Sequence, residues 1–103
     1  MFGKKNDKYG IYYHMYSSVR ENNSEQVSFA RTEDPIFEGT WEQCSKWLKV
    51  QYIDACVNLS DVKAKVLVDL DNDDLQLQIV IRKYYDNDKL SYYFSSTYQA
   101  KRL

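Results

Sequence analysis

Asp69, Asp71 and Asp73 occupy alternate places in the run DLDNDD, the first, third and fifth positions of a calcium-binding loop. An oxygen cage of that kind also needs glycine at its sixth position, for a sharp turn, and a bidentate glutamate at its twelfth. Those positions hold Asp74 and Val80. The run is therefore expected to be a solvated acidic turn rather than a metal site. His14 is the single histidine, and with Cys44 and Cys56 it leaves a tetrahedral zinc set one ligand short. Neither cysteine belongs to a CxxC pair. As a general base His14 lacks a nucleophile, because neither Ser17 nor Ser18 sits in a GxSxG turn. Only Gly3, Gly10 and Gly39 are glycines, too few for a phosphate-cradling loop. No catalytic residue, metal or cofactor is expected, and the sequence reads as a non-enzyme.

Recognition chemistry is better represented. The chain holds ten tyrosines, rigid amphipathic side chains that supply contact area at low entropic cost. How they cluster depends on the elements that carry them. Thr40–Leu59 is the one clear helix: Thr40 and Gln43 have capping-box spacing. At about 100° per residue, Trp41, Cys44, Leu48, Tyr52, Ala55 and Leu59 fall on one face. Most of the remaining chain alternates with period two. Lys8–Arg20 and the segment around Val27 and Phe29 read as a hairpin joined by Glu21–Glu25. Glu33–Gly39, with the single proline Pro35, reads as a crossing loop pinned to the core by Ile36 and Phe37. After a turn at Asn58–Asp61 come three strands, Val62–Leu70, Leu75–Arg82 and Leu90–Thr97, joined by short Asp/Asn-rich connections. The order β-β-α-β-β-β predicts an α+β fold of two layers, an antiparallel sheet with a single helix packed on one face.

With Ile11, Tyr13, Leu77, Ile79, Ile81, Tyr92 and Phe94 turned to the helix, the other face collects Tyr12, His14, Tyr16, Gln76, Gln78, Val80, Arg82, Tyr84 and Tyr93. Of these, Tyr12, His14, Tyr16, Gln78, Arg82, Tyr84 and Tyr93 form the candidate partner-binding surface, being the residue types enriched at interfaces. The alternative is a half-solvated sheet that carries Tyr and Gln because they suit strands. A second candidate is the outer helix stripe of Trp47, Val50, Ile53 and Val57, which calls for a cover: the Pro35–Phe37 loop, the N-terminal segment, or a second copy of the chain in a homodimer. Cys44 and Cys56 lie 12 residues apart on the helix, about 18 Å along its axis, too far to form a disulfide with each other.

The 103 residues fit one domain, 1–103, with 1–7 expected to fray. Hydrophobic residues make up 44%, enough for a packed core, and the net charge of −1 argues against a general nucleic-acid binder. No signal peptide or membrane span is read, which leads to an expectation of cytoplasmic residence. Abundant Tyr, Lys and Asn draw on AT-rich codons, as in low-GC bacteria and their phages. The favoured expectation is a small non-enzymatic protein-binding module, an inhibitor of phage or mobile-element type such as an anti-CRISPR, occluding a host factor. Acidic tips at Asp71–Asp74 and Asp86–Asp88 would suit docking on a basic channel of such a target. The rival is single-stranded nucleic-acid binding, with tyrosines stacking bases and Lys63, Lys65, Arg82 and Lys83 on the backbone. A homodimeric structural subunit is the third.

Overall fold

The computed structural model describes residues 7–21, 24–84 and 90–103, with Tyr84 and Leu90 described by strand pairing alone. One helix, α1 (Trp41–Asn58), packs on an antiparallel sheet of six strands. These are β1 (Tyr9–Glu21), β2 (Ser24–Arg31), β3 (Phe37–Gly39), β4 (Lys65–Asp71), β5 (Gln76–Tyr84) and β6 (Leu90–Arg102). The spatial order is β2-β1-β6-β5-β4, and β3 pairs with β1. The α+β architecture and the helix position are those expected, with one strand more.

That strand lies within the segment expected to be loop. His14 faces Arg31 and Ile11 faces Phe37, so the five residues from Thr32 to Ile36 stand opposite only Tyr12 and Tyr13. β2 and β3 thus share one edge of β1 and are separated by a bulge. The bulge is tied down by Thr32 N–H to the Tyr13 carbonyl at 2.9 Å and Ile36 N–H to the Ile11 carbonyl at 2.8 Å. Phe37 packs on the core as expected, but Ile36 remains 44% exposed. A second correction concerns β4, which begins at Lys65 rather than Val62; Val62 is exposed ahead of it.

The helix starts where its cap dictates. Thr40 Oγ1 accepts the Gln43 N–H at 3.2 Å, and Gln43 Oε1 accepts the Thr40 N–H at 2.9 Å. Gly39 permits this closure, because a Cβ there would sit 2.6 Å from Gln43 Oε1. Cys44 and Leu48 from the helix meet Tyr9, Ile11, Leu77 and Ala100 from the sheet and Leu75 from the β4–β5 turn in the buried core. A strand of 13 residues runs about 43 Å and a helix of 18 about 27 Å. The helix therefore covers only part of the sheet, the end where β1 begins and β6 finishes. At that end Asp7 pairs with Arg102 at 2.9 Å. The expected frayed start, apart from Asp7, and the turns at 22–23 and 85–89 lie outside the described residues.

Candidate binding interface

Strand register decides which side chains meet on the sheet face away from α1. Tyr12 faces Gln99, His14 faces Thr97 and Tyr16 faces Ser95 across β1 and β6. On the far side of β6, Gln78 faces Thr97, Val80 faces Ser95 and Arg82 faces Tyr93. Six of the seven residues singled out, Tyr12, His14, Tyr16, Gln78, Arg82 and Tyr93, therefore share one face. The side chain of Tyr84 lies outside the described residues.

The face is organised by ring contacts. Tyr16 and Tyr93 lie 6.0 Å apart between centroids, and the Arg82 guanidinium sits 5.5 Å over the Tyr93 ring. At the other end the Lys101 ammonium stands 5.6 Å from the Tyr12 ring. Such cation–aromatic pairs are worth about 0.5–1 kcal/mol at exposed sites, enough to bias rotamers without locking them. Beneath this layer Val80 and Thr97 are buried, although no helix lies over them. The long side chains around them close the centre of the face.

Three further residues belong here. Phe29 and Arg31 of β2 lie opposite Tyr16 and His14, and Lys101 lies opposite Gly10. Together with Tyr12, His14 and Tyr16 they border a shallow groove of about 880 Å³ that runs along the β1–β2 margin. Phe29 is 79% exposed, far more than a phenylalanine that merely packs on its neighbour. Pro35 of the bulge lies against Gly10, where an added Cβ would meet the proline Cβ at 2.8 Å. The alternation of Val27 and Phe29 in the sequence already placed them on one side of a strand. Only the hairpin register shows that this side is the tyrosine side.

The other face is closed by aromatic packing. Tyr13 and Tyr98 lie 4.8 Å apart, and Trp47 meets Tyr98 edge-on at 5.7 Å. Burial pushes the phenols of Tyr13 and Tyr98 above their ordinary value, with a Ser96 hydrogen bond pulling Tyr13 back. Trp47 also stacks on Phe37 at 5.7 Å and 23°. The outer stripe thus divides: Trp47 is turned in against the core, while Val50, Ile53 and Val57 are each more than half exposed.

The groups considered for chemistry are dispersed. The Asp71 carboxylate accepts the N–H of Asp73 at 2.9 Å and of Asp74 at 3.2 Å, closing the β4–β5 turn. Among the described residues no three His, Cys, Asp or Glu side chains gather as a metal site. The Cys44 thiol donates weakly to the Tyr9 and Gly39 carbonyls, and burial raises its pKa. Cys56 is exposed, so the two thiols are free and unpaired with each other. Of the four cations considered for a nucleic-acid backbone, Lys65 and Arg82 are cross-strand neighbours on the open face. Lys83 pairs with Tyr92 on the opposite face, and Lys63 precedes β4. No helix among the described residues is long and apolar enough to cross a membrane. Comparison with protein-family models, curated proteins and solved structures finds no match for the chain.

Proposed function

We propose that the chain is a small non-enzymatic protein-binding module whose interface is the open sheet face, centred on the groove beside Tyr12, Tyr16 and Phe29. The observation that carries this reading is Phe29, a large ring 79% exposed next to the Tyr16–Tyr93 pair. An apolar anchor bordered by Tyr and Arg is the composition of an interface centre. Arg31, Lys101 and Arg82 around it favour a partner segment with carboxylates beside its apolar residues. An inhibitor that occludes a cytoplasmic host protein, the anti-CRISPR type among them, is the finer form of this reading. It is supported by the chain's small size and its Tyr-, Lys- and Asn-rich composition.

The nucleic-acid reading fits the cation placement less well. The β4 margin of the same face carries Asp69 and Asp71 opposite Gln78 and Gln76, which would repel a phosphate track leaving Lys65 and Arg82. Binding measurements separate the two readings. Tyr12→Ala, Phe29→Ala and Arg82→Ala are each expected to weaken partner binding at least tenfold, about 1.4 kcal/mol or more, with melting temperatures near wild type. Between low and moderate salt the affinity should fall only modestly. Variants that bind at wild-type strength would refute the face as an interface. A collapse with salt would assign it to nucleic acid instead.

A further inference from the structure

We infer that the free edge of β2 is a self-association site, pairing with β2 of a second copy in antiparallel register about a two-fold axis at Ser28. The inference does not depend on the open face having a protein partner. Thr32 N–H bonds to the Tyr13 carbonyl, so the odd-numbered residues of β1 turn their polar groups toward β2. Their partners Ala30, Ser28 and Gln26 are even-numbered. Glu25, Val27, Phe29 and Arg31 therefore direct their N–H and C=O groups outward, along an edge that no described strand covers.

In an antiparallel pair, outward-directed residues must face outward-directed residues, which leaves only registers that match odd with odd. Centring on Ser28 uses the whole edge. Glu25 then faces Arg31 of the second copy, and Val27 faces Phe29. Both matches occur twice by symmetry. All four side chains lie on the open face, where directly opposite residues interact most strongly. Two opposite-charge pairs would flank two apolar pairs, and Val27 and Phe29 are 49% and 79% exposed in the single chain. Edge strands of monomers are ordinarily blunted by charge, proline or a bulge. β2 contains no proline, and its outward charges complement one another in this register, with Glu25 placed between Arg20 of its own hairpin, 3.2 Å away, and Arg31 of the second copy. The opposite edge of the sheet differs in that α1 packs over β4, whereas nothing among the described residues packs over β2. Because the axis stands perpendicular to the sheet, the dimer would join two open faces into one continuous surface.

Sedimentation equilibrium with a parallel melt tests this. Wild type should reach twice the 12.3 kDa of one chain as concentration rises. Val27→Pro removes an outward N–H that the monomer does not use, and should stay monomeric with little loss of melting temperature. Ser28→Pro removes an N–H bonded to β1 and should melt well below wild type. Glu25→Arg and Arg31→Glu should each weaken association at least tenfold, and the double variant should restore it. A wild type that is monomeric at millimolar concentration would overturn the inference. So would a dimer indifferent to both the proline and the charge reversals, since its contact would lie elsewhere, for instance on the Val50–Val57 stripe.

Discussion

Leu75 is the one described non-glycine residue with positive φ, at 51°, and its side chain is almost fully buried. A left-handed leucine costs about 1–2 kcal/mol in backbone strain, so something must offset it. The Asp71 carboxylate holds the turn from one side, and the Leu75 carbonyl accepts the Ala100 N–H at 3.0 Å from the other. Between them the side chain is delivered to the core beside Leu77. Leu75→Ala keeps the strain and loses the packing, and should cost about 2–5 kcal/mol in urea unfolding. Leu75→Gly relieves the strain and should be no worse than alanine, despite being the smaller residue. A glycine variant clearly less stable than alanine would show that the backbone there is not under strain. The acidic run, expected to be a solvated turn, is at this scale a device for turning the chain.

At the scale of elements, α1 presents two kinds of apolar residue that composition cannot separate. Leu48 is fully buried, whereas Val57 is two-thirds exposed at 66%. Leu48→Ala should cost about 2–5 kcal/mol, and Val57→Ala under about 0.5. Equal losses in thermal melts would mean the helix is rotated from this packing. The helix was legible in the sequence because its cap and its 3.6-residue period agree. The open face was legible because Tyr12, His14 and Tyr16 keep strict alternation, as do Gln78, Val80 and Arg82. Other features lay beyond local pattern. β3 has three residues, too few to show any period. Trp47 sits on the outer flank by angle, yet its long ring swings back onto Phe37 and Tyr98. Phe29, Arg31 and Lys101 join the tyrosines only through registers between distant strands, and period two assigns a residue to a face without naming its neighbours.

The molecule as a whole is elongated, 52 × 27 × 19 Å, because a long sheet is covered by a shorter helix at one end. Every residue of β2 is exposed, so β2 projects beyond the core as an edge strand held by its ladder to β1, whose other edge pairs with β6 as far as Val19 and Tyr92. An arrangement of this kind is poor economy for stability alone. It presents Phe29, Tyr16 and a free strand edge where partners can reach them, and it leaves the core to the other end of the sheet. In the function proposed for the chain, recognition occurs on this open face rather than on the helix stripe. Photo-cross-linking in cells that produce the chain tests it most directly, with a benzophenone amino acid placed singly at Tyr12, Tyr16, Val50 or Val57. Adducts to a different protein from positions 12 and 16, and none from 50 and 57, is the result expected. Adducts confined to the helix positions would contradict the claim, as would products from positions 12 and 16 containing only nucleic acid.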